Sequence, residues 1–180
     1  MKISAGITIF NPEKEDIKNI NEIYSSFFDK VYIYNNSKKM MYEFKENIFF
    51  VSEGVNDGLG IACDCLCNIA KKDGFDYIML FDQDSRISQE NLTNIVKFIE
   101  KKEVEAAIYS PQIIYNDNTN VDKKGYKYID WCITSGSVID LHMYGDKYKF
   151  DINYFIDRLD RDLCLQEIGR RQKGVKKCYE

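Results

Sequence analysis

The chain has 180 residues, 44% hydrophobic and 30% charged, which suits one globular domain and leaves no room for a second of ordinary size. Its 25 basic and 29 acidic side chains give a formal charge of -4 with no long Lys/Arg run, which argues against nucleic acid or an anionic membrane surface as a polyanionic partner. No stretch has signal-peptide character or approaches the roughly 20 apolar residues that span a bilayer, so a cytoplasmic protein is expected.

Apolar periodicity switches between two and 3.6 along the chain, as in strands interleaved with helices. Residues 3–10 read as a strand stopped by Asn11-Pro12. A helix follows, with Ile17, Ile20, Tyr24, Phe27 and Phe28 on one face and Glu13, Glu15 and Asp16 near its positive end. Short strands are expected at 31–34 and 48–51, then a helix over 58–72 that packs Ala62, Cys65, Leu66 and Ile69 inward. Residues 77–81 form a continuous apolar run of the kind buried on both faces of a parallel sheet, and they lead straight into Asp82-Gln83-Asp84-Ser85. A helix capped by Ser88 carries Leu92, Ile95, Val96 and Ile99. A strand at 106–109, a polar loop at 116–124, a strand at 133–139 and a helix at 157–171 complete the pattern.

The six cysteines lack paired C-x-x-C spacing and His142 is the only histidine, so small buried thiols are expected rather than disulfides or structural zinc. A single histidine also leaves acid–base chemistry to carboxylates. Trp131, Tyr126 and Tyr128 are expected first as core aromatics, with stacking on a sugar as a second use.

Ligands of open α/β sheets bind beyond the carboxyl ends of the strands, which directs attention to Thr8–Asn11, Asn35–Ser37, Asn56–Gly58 and Asp82–Ser85. Asp82 and Asp84 would repel each other at the end of a buried strand unless a cation or hydrogen-bond donors compensate. Mg2+ or Mn2+ suits the pair, since each takes one or two carboxylates and completes its shell with phosphate and water. A polar turn capping the next helix is the alternative reading of the same residues.

Taken in order, Thr8-Ile9-Phe10-Asn11-Pro12, Tyr34-Asn35-Asn36-Ser37, Asn56-Asp57-Gly58, Leu80-Phe81-Asp82-Gln83-Asp84-Ser85, Thr134-Ser135-Gly136-Ser137 and Phe155-Ile156-Asp157-Arg158-Leu159-Asp160 resemble the family 2 glycosyltransferases. Within them, the series looks most like the rhamnosyltransferase-type branch. The resemblance implies a GT-A-like, Rossmann-type αβα sandwich with a mostly parallel central sheet, as one domain over residues 1–180. Residues 1–85 would be the nucleotide-sugar half and 86–180 the acceptor and catalytic half, C-terminally short relative to the family.

By the same resemblance, a dTDP- or UDP-sugar would lie against Thr8, Phe10, Asn11, Asn35, Asp57, Gly58, Asp64, Asp82 and Gln83, with Mn2+ or Mg2+ held by Asp82 and Asp84. Thr134, Ser135 and Gly136 would sit at the acceptor or donor sugar, and Asp160 would be the catalytic base of an inverting transfer, with Asp157 as its substitute. A glycan or lipid-linked acceptor of surface polysaccharide synthesis is implied, at the inner face of the cell membrane, and peripheral membrane association and a homodimer are compatible with it. Two positions depart from the pattern: Asn35 stands where the family usually has Asp, and Asp64 where the branch usually has Asn. The competing readings are a non-catalytic sugar-nucleotide-binding scaffold of the same fold, and a haloacid-dehalogenase-like phosphatase built on Asp82 and Asp84.

Overall fold

The computed structural model describes residues 1–38, 42–52, 54–102, 104–112, 125–171 and 175–179. The N-terminal half alternates strand and helix: β1 (Ile3–Ile9), β2 (Val31–Asn35), β3 (Ile48–Ser52), α3 (Gly58–Lys72) and β4 (Tyr77–Asp82). Between β1 and β2 the chain runs through α1 (Lys14–Asn19), a π-helical turn (Ile20–Tyr24) and α2 (Ser25–Phe27). The second half contains α4 (Gln89–Glu100), β5 (Ile108–Pro111), β6 (Gly125–Ile129), β7 (Val138–Asp140), α5 (Leu159–Arg171) and β8 (Val175–Tyr179). Among the described residues eight strands join one sheet in the order β3-β2-β1-β4-β7-β5-β8-β6. β1, β2, β3 and β4 are mutually parallel, β7 runs antiparallel between β4 and β5, and β6 pairs antiparallel with β8. The expected mostly parallel sheet of an α/β sandwich is therefore present.

Strand alternation divides the core in two. Ile78 and Leu80 of β4, with Tyr32 of β2, face a cluster holding Leu66 of α3, Tyr144, Tyr148, Phe150 and Leu163 of α5. Met79 and Phe81, with Ile7 and Ile33, face the other cluster, which includes Ile20, Tyr24, Leu92 and Ile99. Both faces of β4 are thus covered, which is why its sequence shows no polar alternation.

The structure shifts several expected elements. The first helix keeps Ile17, Ile20, Tyr24 and Phe28 buried, but it widens into the π turn. On α3 the inward face is Ala62, Cys63, Leu66, Cys67 and Ala70, so Cys65 and Ile69 are only half buried. On α4, Phe98 is buried and Val96 is not. β5 starts at Ile108 because the Ala106 N–H donates to the Tyr109 hydroxyl (3.1 Å) instead of a neighbouring strand. Of the expected strand 133–139 only Val138 and Ile139 are extended, as the start of β7, since the preceding residues form a turn with Gly136 at φ +80°. The last helix begins at Leu159, after Arg158 takes a left-handed backbone (φ +67°) that no helix accommodates. β6 and β8 were not expected, and the polar loop predicted at 116–124 lies outside the described residues.

Trp131, Tyr126 and Tyr128 are 57%, 45% and 48% exposed, against the expectation that they fill the core. The cysteine expectation fits better: Cys63, Cys67, Cys132 and Cys164 are free and buried, and Cys65 is free and half buried. Among the described residues no helix is long and apolar enough to cross a membrane.

Candidate functional site

The carboxyl ends of β1, β2 and β4 lie side by side, with Thr8 in register with both Tyr34 and Asp82, and Ile9 opposite Asn35. Their loops are tied together. The Phe10 N–H donates to Gln83 Oε1 (2.7 Å), the Asn11 N–H to Ser37 Oγ (2.6 Å) and the Asn36 N–H to the Ile9 carbonyl (2.8 Å). Asn36 Oδ1 in turn accepts from the Asp57 N–H (3.1 Å), and Asp57 accepts from the Tyr34 hydroxyl (2.7 Å). Thr8, Phe10, Asn11, Asn35, Asp57, Gly58, Asp82 and Gln83 are therefore brought to one edge, with Phe10 exposed and Thr8 and Asn35 buried.

Asn35 Oδ1 accepts from the Ser37 N–H (2.8 Å), and its Nδ2 has no hydrogen-bond partner among the described residues. Asp64 does not join this edge. It lies about 9 Å further along α3 than Gly58, and its carboxylate accepts from the Tyr144 hydroxyl (2.7 Å) and Asn68 Nδ2 (2.9 Å).

The acidic turn is held from three directions. The Ser85 N–H closes the turn on the Asp82 carbonyl (3.1 Å). The 134–137 turn extends the β4–β7 pairing: Leu80 N–H donates to the Ser137 carbonyl (2.9 Å), Gly136 N–H to the Leu80 carbonyl (2.7 Å), and Asp82 N–H to Ser135 Oγ (3.2 Å). The Ser135 and Ser85 hydroxyls also share a hydrogen bond. From the other face of the sheet, Tyr24 Oη (2.8 Å) and Asn19 Nδ2 (3.1 Å) donate to the Ser85 carbonyl, and Arg86 pairs with the buried Asp16 carboxylate (2.7 Å). Burial pushes the Tyr24 hydroxyl up to about 12, which keeps it a neutral donor.

Ser135, read from sequence as a sugar contact, thus serves the acidic turn directly. Thr134 Oγ1 is buried with no hydrogen-bond partner among the described residues. Sequence reasoning missed Asn19, Tyr24, Asp16 and Arg86. Tyr24 had already been explained as packing, and the Asp16–Arg86 pair joins residues 70 apart that no local spacing connects.

Asp82 carries the electrostatic signature of the site. Burial raises its carboxyl above the ordinary carboxylate range, and the charges of Asp84 and then Asp160 add to the shift. Although its surface remains open, the surrounding protein removes enough water for three like charges to be felt. Among the described residues no group of three acidic, His or Cys side chains gathers into a closed metal site. Asp82 and Asp84 instead offer an open half-shell of hard oxygen donors with uncompensated negative charge, which fits a divalent cation shared with substrate phosphate.

Asp160 stands on the first turn of α5, where Oδ1 accepts from the Arg161 N–H (2.7 Å), and Asp157 is exposed just before it. Both line a cavity of about 530 Å³ with Asp130, Trp131, Arg158 and Arg161. The loop leading to them rests on the start of α3: the Leu59 N–H donates to the Phe155 carbonyl (2.7 Å) and the Gly60 N–H to the Tyr154 carbonyl (2.9 Å). A Cβ at Gly60 would meet the Asp151 and Tyr154 carbonyl oxygens at 2.5 and 2.6 Å, and one at Gly58 would meet the Phe155 oxygen at 2.6 Å. The Gly58-Leu59-Gly60 sequence, which lacks the spacing and lysine of a phosphate loop, is therefore a seat for the segment that carries Asp157 and Asp160.

The model of the family described as Glycosyl transferase family 2 matches residues 29–165. The dTDP-rhamnosyl transferase RfbF of Shigella flexneri is 24% identical over 189 residues, covering 91% of this chain and 62% of that relative. The chain thus spans under two thirds of that relative's length. Among solved structures, Staphylococcus aureus TarS residues 1–349 in complex with UDP-GlcNAc superposes with a TM-score of 0.64 at 13% identity, over 100% of this chain and 59% of that one. The bifunctional IspDF of Campylobacter jejuni superposes with a TM-score of 0.55 at 12% identity, over 100% of this chain and 49% of that one. These structural likenesses bear on the fold, whereas the family model covers about three quarters of the residues. By that match the chain belongs to glycosyl transferase family 2.

Proposed function

We propose that this protein is a metal-dependent, inverting glycosyltransferase that moves a sugar from a dTDP- or UDP-linked donor to a glycan or lipid-linked acceptor. The observation that carries this reading is the placement of Asp82 at the shared edge of β1, β2 and β4, tied to Ser135 of the 134–137 turn, with Asp160 lining the same cleft as Thr134 of that turn. The relative named a dTDP-rhamnosyl transferase makes dTDP-rhamnose the first donor to try, and the UDP-GlcNAc complex of TarS keeps a UDP-sugar as its competitor.

In this reading the loops after β1, β2 and β4 bind the nucleotide, and Asp160 accepts the proton of the acceptor hydroxyl as its oxygen attacks the anomeric carbon. The bond from that carbon to the diphosphate breaks, and its electron pair leaves with the diphosphate. Asp82 and Asp84 would hold Mn2+ or Mg2+, whose charge would offset the charge gathering on the leaving diphosphate. Place in surface polysaccharide synthesis, at the inner membrane face, belongs to the same proposal.

The test is calorimetric titration of dTDP and UDP with and without Mn2+, on the wild type and Asp84→Ala. Metal-requiring binding of one nucleotide that drops at least tenfold in the variant supports the donor site. Failure of a folded wild type to bind either nucleotide overturns it. Binding without transfer or donor hydrolysis would move the assignment to a sugar-nucleotide-binding scaffold.

A further inference from the structure

The cavity beside Asp160 has a composition that the donor reading does not use. Trp131 is the chain's only tryptophan, and it is 57% exposed on the wall of this 530 Å³ space. Among the described residues no aromatic ring or cation packs on its indole. A large apolar ring left open to water inside a concavity forgoes burial that a core position would supply, and such surfaces mark ligand contacts. Volume agrees, since small-molecule sites commonly occupy about 300–1,000 Å³.

Around the indole stand acceptors and donors in mixture: the Asp130 and Asp157 carboxylates, and the Arg158 and Arg161 guanidinium groups, neither of which is held in an ion pair among the described residues. Arg158 reaches its place on a left-handed backbone (φ +67°), a conformation that a bulky residue adopts at a cost and that concentrates at binding sites.

We infer that this cavity is the acceptor subsite, and that it takes a neutral pyranose whose C–H face lies on Trp131 and whose hydroxyls are shared between Asp130, Asp157, Arg158 and Arg161. A pyranose presents one apolar face and a rim of hydroxyls that both donate and accept, which this wall matches. With Asp160 included, three carboxylates outnumber two guanidinium groups, so the pocket's net charge opposes a phosphorylated or uronic acid acceptor. Asp160 on the same wall places the attacking hydroxyl on the sugar that Trp131 holds. This inference rests on the transferase reading for its chemistry, but its test does not require turnover.

Because Trp131 is the sole tryptophan, its emission, excited at the red edge where the tyrosines do not absorb, reports the subsite. The wild type would be titrated with a panel of neutral methyl hexopyranosides, and with methyl glucuronide and glucose 6-phosphate at equal concentrations. At least one neutral glycoside is expected to shift or quench the emission saturably, with the anionic sugars binding at least tenfold more weakly. In Trp131→Ala, followed by saturation-transfer NMR, the signal of that glycoside should fall at least tenfold, with Trp131→Phe restoring part of it and the thermal midpoint of both within about 2 °C. An emission that no neutral sugar alters, or anionic sugars that bind as tightly, overturns the inference. Nucleotide titration on the same sample separates the two readings, since lost sugar binding with intact nucleotide binding condemns only the subsite.

Discussion

At the ends of β1, β2 and β4 the backbone is pinned from several sides, whereas the segment carrying Asp157 and Asp160 rests on α3 through two backbone hydrogen bonds and two glycines. The first region is built by parallel strands in register, so its loops emerge already adjacent and need only short ties between neighbours. The second is built by a long connection that must be brought back across the sheet and seated. An edge tied from several sides, proposed for the donor, and a separately mounted segment, proposed for the acceptor, can fail independently, which makes the comparison testable.

The largest effect should come from Asp160→Asn. Loss of a general base lowers rates by about 10²–10⁴-fold, and this variant is expected to lose transfer on that scale while nucleotide affinity, read by calorimetry, stays within threefold. An equal loss of nucleotide affinity would show that the two regions are one.

Gly60→Ala tests the mounting itself. Alanine in a helix is favoured over glycine by about 1 kcal/mol, so propensity alone predicts a more stable protein. The added Cβ, however, would meet two backbone carbonyl oxygens at 2.5 and 2.6 Å, and neither can swing aside as a side chain would. The clash wins, with an expected net destabilisation of about 1–3 kcal/mol, seen as a fall in Tm of about 3–10 °C. Transfer should fall further than nucleotide binding. A raised Tm would refute the seat.

Ser135→Ala should act more mildly and on the other region. It removes the acceptor for the Asp82 N–H and the partner of the Ser85 hydroxyl, a change of about 1 kcal/mol. Metal-dependent nucleotide affinity is expected to weaken several-fold while binding of neutral sugars to the Trp131 cavity is unchanged.

The same contrast explains what could be read from sequence. β1, β2, β3, α3 and β4 were legible because each buries a continuous or periodic apolar face, and the polar residues at their ends follow from topology alone. Residues 133–137 read as a strand because Ile133 and Val138 bracket small residues, and nothing local announces that Gly136 turns the chain so that Ser135 reaches Asp82. β6 and β8 were missed because their sequences, GYKYI and VKKCY, are short and interrupted by lysine; a partner strand gives them their place, not their own pattern. Trp131 was expected inside because aromatic residues usually are; its exposure follows from the cavity that α5 and the 130–131 segment form together.

The smallest effect expected has the opposite sign to the others. Burial, and then the charges of Asp84 and Asp160, disfavour the ionised form of Asp82, so its negative charge costs the folded chain free energy. Asp82→Asn removes one of three like charges while keeping shape and hydrogen-bonding capacity. In metal-free buffer it should therefore raise Tm by about 1–3 °C, corresponding to less than about 1 kcal/mol, although it abolishes metal-dependent nucleotide binding. Saturating Mn2+ should then reverse the ranking, because a cation that binds only the folded wild type stabilises that protein and not the variant. An Asp82→Asn protein that is less stable than the wild type without metal would mean that the carboxylate makes a structural contact, and the donor edge would then owe its acidity to folding and not to a ligand.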